Sequence, residues 1–232
     1  MKKKIAKRVF FSIIVFIAMI LFIKITSKVY KNDIEYFDKA IYMGVSRYQT
    51  TFITNICKIF TYLGGEIGTF IMALITFVFV WKKYNDKKTA MLIILNIVII
   101  TVINQILKHI MKRDRPVGYR LVNAHGYSFP SGHSMVAMGF YGYLIYLTWD
   151  ITKHHSKTFL KVAMTVILTC MILFIGLSRI YLGVHYASDV CAGLLLSFAY
   201  LIVFVAIYEK IMVDKAIDKK HRRKAKRANF TT

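Results

Sequence analysis

The sequence predicts an all-α polytopic membrane protein, a six-transmembrane-helix bundle with an interfacial amphipathic segment between helices 1 and 2. Three observations predict it. Of the 232 residues, 57% are hydrophobic and the mean hydropathy is +0.52, where soluble domains average about 45–50% apolar. The excess is gathered into six long runs. None of these runs alternates strictly, and an open set of strands would leave its backbone groups unsatisfied in lipid.

The runs are approximately Val9–Ile25, Glu66–Trp81, Ala90–Leu107, Ser134–Leu147, Phe159–Leu177 and Ala187–Tyr208. A bilayer core is crossed by about 20 helical residues. The second and fourth runs are shorter and must borrow flanking residues, with lysines at their edges snorkelling to the surface. The basic start, Met1–Arg8, precedes an apolar run with no small-residue cleavage site, which predicts an uncleaved first span. Between the first two spans, Ile34, Phe37, Ile41 and Met43-Gly44-Val45, then Phe52, Ile53, Ile56 and Phe60, form amphipathic patterns. They suit helices packed on the bundle at the interface.

Charge sets the topology. The formal net charge is +22, from 33 Lys and Arg against 11 Asp and Glu. The basic connecting segments are Met1–Arg8, Trp81–Lys88 (Lys82, Lys83, Lys87, Lys88), Thr152–Lys161 (Lys153, Lys157, Lys161) and the tail after Tyr208. With six spans these share one side, which the positive-inside rule makes the cytoplasm. Residues 1–8 are then a basic cytoplasmic N-terminus, 9–208 the membrane domain and 209–232 a basic cytoplasmic tail that meets anionic headgroups. The opposite side holds Thr26–Gly65, Lys108–His133 and Ser178–Tyr186. A plasma-membrane protein with its chemistry on the extracytoplasmic face is expected.

The same composition excludes other classes. A membrane-embedded chain without aromatic-basic interleaving has no groove for nucleic acid. The cysteines Cys57, Cys170 and Cys191 are odd in number and lack a CxxC, so neither a disulfide framework nor a zinc site is implied. Cys170 and Cys191, inside apolar runs, are expected to be packed thiols.

Three clusters on the outer side carry chemistry, and the only two prolines, Pro116 and Pro130, lie in the first two. In Pro130-Ser131-Gly132-His133, Pro and Ser suit the start of a helix and Gly permits close backbone approach. The apolar run that follows makes His133 a first-turn residue, where free N–H groups and the helix dipole favour an anion. Lys108 closes the third span. A lysine there is commonplace, but seven residues on Arg115 offers a planar fork that suits phosphate oxygens, and Pro116 holds it extended. Lys112, Arg113 and Arg120 are assigned to attracting substrate or meeting headgroups, outside direct contact. His185 and Asp189, four apart, share a helix face. A carboxylate there keeps one imidazole nitrogen protonated and leaves the other free to attack. Arg179 ends the fifth span, and Gly183 supplies the turn after it. Glu66 is assigned to charge complementarity at a helix N-terminus and not to the site.

In this order, Lys108-x6-Arg115-Pro116, Pro130-Ser131-Gly132-His133 and Ser178-Arg179-x5-His185-x3-Asp189 match without departure the three-part pattern of the type-2 phosphatidic acid phosphatase superfamily. The chain resembles that superfamily, which also holds the lipid phosphate phosphatases and vanadium haloperoxidases. Small integral membrane members are typical of bacterial enzymes related to phosphatidylglycerophosphate phosphatase B and to undecaprenyl-diphosphate phosphatases. The resemblance implies that His185 is the nucleophile, Asp189 its orienting carboxylate and His133 the group that protonates the leaving oxygen. It also implies phosphate binding by Lys108, Arg115, Ser131, Gly132 (through its backbone) and Arg179. No cofactor and no metal are expected. The motifs see only a phosphate, so phosphatidylglycerophosphate, undecaprenyl diphosphate and phosphatidic acid stay open as substrates.

The alternatives are a phosphatase for a non-lipid ester, a non-enzymatic lipid-phosphate binding or transport protein, and an intramembrane serine hydrolase using Ser131. Transport predicts midplane charges or broken repeated helices, which the spans lack. Acyl transfer has no use for three clustered cations. Oligomeric state is not encoded in these patterns.

Overall fold

The computed structural model describes residues 2–118, 120–152 and 158–228. Its described elements are eight helices: α1 Lys2–Tyr30, α2 Glu35–Ser46, α3 Thr51–Gly64, α4 Glu66–Tyr84, α5 Lys87–Met111, α6 Gly132–Ile151, α7 Thr158–Tyr181 and α8 Ala187–Ala228. All six predicted runs lie in helices, each extended past its apolar stretch. The chain is an all-helical, multi-pass membrane protein. Lys153 and Lys157, assigned above to a cytoplasmic loop, and residues 229–232 of the tail lie outside the described residues.

Five described helices, α1 from Arg8, α4, α5, α7 and α8 to Met212, are long and apolar enough to cross a membrane. The sixth, α6, runs through the middle of the bundle and packs on α5, α7 and α8. Phe140, Tyr141 and Tyr143 of α6 are fully buried in one core cluster with Ile93 of α5, Ile175 of α7 and Phe204 of α8. A helix sheathed in protein does not need an apolar surface on every side. Lipid tails are as apolar as leucine, so this association rests on close packing and hydrogen bonds.

The α1 helix lies outermost. Val9, Phe10, Ile13, Phe16, Ile17 and Ile23 are exposed, as suits lipid contact. Phe22 stacks on Phe129 at 6.4 Å and packs with Ala192 of α8. Cys170, expected to be packed, is exposed on α7. It shares that outward face with Ile167, Leu173 and Phe174, so its apolar neighbours are lipid-facing rather than core.

The two amphipathic patterns between the first two spans are the helices α2 and α3. Thr50 starts α3, its side chain accepting from the Ile53 N–H at 3.2 Å. The α2 helix packs on α7 and α8, and α3 on α7, α4 and α6. At the corner between α3 and α4, the Leu63 carbonyl accepts from Thr69 Oγ1 at 3.2 Å and Tyr141 Oη at 2.9 Å.

Gly68 lets this corner close, because a Cβ there would lie 2.1 Å from the Tyr62 carbonyl oxygen. A backbone atom cannot swing aside as a side chain does. Gly68→Ala is expected to destabilise the protein by about 1–3 kcal/mol, read as a lower thermal midpoint in detergent. An unchanged midpoint would show that the corner relaxes freely.

Candidate functional site

The site lies at one end of the bundle, where α5 and α7 finish and α6 and α8 begin. Its centre is Asp189 in the first turn of α8. Asp189 Oδ2 accepts the Tyr186 N–H at 3.0 Å. This reaches back to the residue that caps the helix, as in the reciprocal half of a capping box. The same oxygen accepts from the Ser128 hydroxyl and from His185 Nδ1 at 3.3 Å. Asp189 Oδ1 accepts from Arg113 Nη1 at 2.7 Å.

His185 precedes α8 rather than lying on it, so the pair meets through the helix-capping turn and not along one helical face as the spacing predicted. Gly183 at φ 68° makes that turn, a conformation glycine adopts freely. His185 is 2% exposed. Its Nδ1–H faces Asp189 and Ser128, and its Nε2 accepts from Arg115 Nη1 at 3.0 Å. These partners specify one neutral tautomer, with the Nε2 lone pair turned toward cations. Burial pushes the His185 pKa down to about 4, while Asp189 pulls it up.

Arg115 is held by three carbonyls: Nε donates to Gly126 at 2.9 Å, Nη1 to Val184 at 2.9 Å and Nη2 to His125 at 3.0 Å. Burial lowers its pKa, with Asp189 opposing. Lys108 Nζ donates to the Tyr127 carbonyl at 2.8 Å. Arg179 is 5% exposed, donates from Nη1 to the Thr61 hydroxyl, and keeps a buried Nε–H with no hydrogen-bond partner among the described residues. An unpartnered buried guanidinium donor is costly unless an anion meets it.

Ser131 caps α6: its Oγ accepts from the Ser134 N–H at 3.5 Å and also from the Ser134 hydroxyl at 3.0 Å. Its own N–H donates to the Asp189 carbonyl at 3.1 Å, which ties the second motif to the third. The amides of Gly132 and His133 open the helix, where no intrahelical carbonyl can accept them. Gly132 is demanded by packing as well as by ligand approach, because a Cβ there would lie 2.8 Å from Asn104 Oδ1. The ring of His133 feels the charges of Arg179, Lys108 and Arg115 and neighbours His185.

All eight predicted residues therefore gather at one place. Arg113 corrects the expectation. Assigned to general attraction, it instead binds Asp189 and Asp38, the latter through Nη2 at 2.8 Å. Lys112 and Arg120 stay exposed. Glu66, kept out of the site, lies close enough to act electrostatically on Lys108. The sequence reading missed Asp38, Ser128 and Asn104. Asn104 had a usable signal, an amide one turn before Lys108 in an apolar helix, and it donates to the Pro130 carbonyl at 3.1 Å. Ser128 and Asp38 had none that spacing could reveal. A cavity of about 960 Å³ reaches His185, walled by the end of α1, by α2 and by the loop from Lys112 to Val117.

Known proteins resemble this chain in sequence and in fold. The family model described as the PAP2 superfamily matches residues 89–212. Phosphatidylglycerophosphatase B of Bacillus subtilis (strain 168) is 27% identical over 198 residues, covering 82% of this chain and 92% of that protein. Sphingosine-1-phosphate phosphatase 1 of Rattus norvegicus is 27% identical over 153 residues, 64% of this chain but only 34% of that longer protein. Among solved structures, the transmembrane PAP2-type phosphatidylglycerolphosphate phosphatase of Bacillus subtilis superposes with a TM-score of 0.75 at 25% identity, covering 85% of this chain and 96% of that one. Aquifex aeolicus LpxE superposes with a TM-score of 0.55 at 25% identity, covering 72% and 93%. The family match spans more than half of the chain and takes in most of the helices that build the site, so the chain belongs to the PAP2 superfamily, as a membrane-embedded hydrolase of its lipid phosphatase branch.

Proposed function

We propose that this protein removes the terminal phosphate from a lipid phosphate or diphosphate through a phosphohistidine on His185, without a metal, at the extracytoplasmic face of the plasma membrane. Phosphatidylglycerophosphate, undecaprenyl diphosphate and phosphatidic acid are the candidate substrates. The observation that carries this reading is the His185 ring, with Nδ1 held at the carboxylate and Nε2 turned 3.0 Å from a guanidinium. A nucleophile already faces a phosphate-binding cation.

On substrate binding, Arg115 exchanges Nε2 for a phosphate oxygen. Lys108, Arg179 and the opening amides of α6 take the others, so charge that builds on the equatorial oxygens is met by fixed donors. Nε2 attacks phosphorus in line, a P–N bond forms and the ester P–O bond breaks. His133 gives its proton to the leaving oxygen. Asp189 supports the imidazolium. His133 then takes a proton from water, whose oxygen attacks phosphorus. The P–N bond breaks, and inorganic phosphate and neutral His185 are released.

The orientation rests on the lysines. Lys82 and Lys87 sit over the Trp81 ring at 5.1 and 5.2 Å, at the α4–α5 end of the bundle, away from the site. Tryptophan and lysine mark a membrane interface, and the positive side is cytoplasmic. The basic N-terminus and the tail from residue 209 fit the same side and suit contact with anionic lipid.

The decisive experiment is phosphate release by purified protein from the three lipids in EDTA, with His185→Ala alongside. Wild-type release with none from the variant is expected, and a requirement for added divalent ion would overturn the metal-free reading. For the leaving-group role, His133→Ala should lose about 10²–10⁴-fold on a lipid ester and much less on p-nitrophenyl phosphate. Equal losses on both would remove His133 from that role. The ring of His185 attacks only when neutral, and burial sets its pKa at about 4. Activity is therefore present above that pH and lost as pH falls through it, so the acid limb of kcat/KM should lie near 4 rather than near 6.5. An acid limb at 6.5 would contradict a buried neutral ring.

A further inference from the structure

The α2 helix packs on the bundle through Tyr42 and Val45, yet the residue it buries most deeply is an acid. Tyr36, Phe37, Ile41 and Met43 are exposed, whereas Asp38 is 4% exposed and is its one buried residue. A buried carboxylate is tolerated only when paired and hydrogen-bonded. Asp38 is both. Its Oδ1 accepts the Ser188 N–H at 2.8 Å, and its Oδ2 accepts from the Ser188 hydroxyl at 2.7 Å and from Arg113 Nη2 at 2.8 Å.

Arg113 sits between two carboxylates. Its Nη1 donates to Asp189 Oδ1 at 2.7 Å and to Ser188 Oγ at 2.8 Å. Its plane lies 4.0 Å over the Tyr186 ring. Burial disfavours its charge, but Asp189 and Asp38 outweigh that and push its pKa up. The guanidinium is therefore fixed from α2, from α8 and from an aromatic face, one bond away from the carboxylate that orients His185.

We propose that Arg113 and Asp38 are a positioning pair for the reaction: Arg113 holds Asp189 in register with His185, and Asp38 holds Arg113 and balances its charge. The balance matters. With Asp38 present, the guanidinium is already neutralised, and Asp189 keeps its negative charge for the imidazolium that forms. Without Asp38, that positive charge falls on Asp189 alone and weakens it. Without Arg113, two buried carboxylates face each other and Asp189 is free to turn. The other charged and titratable groups around His185 and Asp189 are Arg115 from the loop, Lys108 from α5, His133 from α6 and Arg179 from α7. None of them touches Asp38.

This inference rests on His185 as the nucleophile, and its test has a readout besides turnover. The His185 ring is titrated by NMR in histidine-labelled protein in detergent, with His185→Gln for assignment. Wild type is compared with Arg113→Gln, Arg113→Lys, Asp38→Asn and the double variant Asp38→Asn/Arg113→Gln. Arg113→Gln should raise the His185 midpoint by about one unit or more, since a neighbouring cation is lost. It should also lower kcat by about 10²-fold, as a misplaced group does, with KM nearly unchanged. The double variant, neutral again at the pair, should bring the midpoint back toward wild type. Arg113→Lys should keep the midpoint near wild type while kcat falls, because the charge stays and the fork is lost. Unchanged midpoints, or a double variant displaced as far as Arg113→Gln, would overturn the pair. Absence of phosphate release by wild type would instead overturn the activity, while the titration still decides on Arg113 and Asp38.

Discussion

Everything at this end of the bundle depends on one buried carboxylate. Asp189 is fully buried, and each of its polar atoms has a task. Its side chain takes the His185 ring, a loop hydroxyl, a loop guanidinium and the cap amide of its own helix. Its carbonyl takes the Ser131 amide. A negative charge in a site this poor in water must be met on every side, and meeting it draws three distant stretches of chain together. The same demand explains why the cations do not scatter. Arg115 and Arg113 are drawn in by buried partners, while Lys112 and Arg120 stay at the surface, where Arg120 donates to the Pro116 carbonyl at 2.7 Å.

The eight candidate site residues were legible because each lies at or beside a helix end, and helix ends can be read from local sequence. Apolar runs stop, a small or polar residue caps, and the charge falls beside the cap. What sequence could not show is contact between stretches with no common spacing. Arg113 and Asp38 are 75 residues apart, and nothing in either neighbourhood announces the other. The spacing of His185 and Asp189 was right about the pair and wrong about the geometry, because a four-residue interval also describes a capping turn. Cys170 shows the converse error: in lipid, an apolar neighbourhood does not mean burial, since the outward face of a span is as apolar as its core.

The α2 helix joins these themes. It is held to α7 and α8 both by Tyr42 and Val45 and by the charge of Asp38. It also walls the cavity that reaches His185. Tyr36, Phe37, Ile41 and Met43 point outward, and its single buried acid points at the Arg113–Asp189 pair. One short helix thus carries a greasy outer face and a charged inner anchor.

The composition of α6 carries a consequence for the site. It brings Ser131, Gly132 and His133 into the site, yet it is not among the five described helices long and apolar enough to cross a membrane. Its Ser134, Gly139, Tyr141, Gly142 and Tyr143 are buried against α5, α7 and α8, with α3 and α4 closing one side. Its polar and small residues are matched to protein neighbours rather than to lipid tails, so the position of the site's second motif depends on how closely the surrounding helices pack.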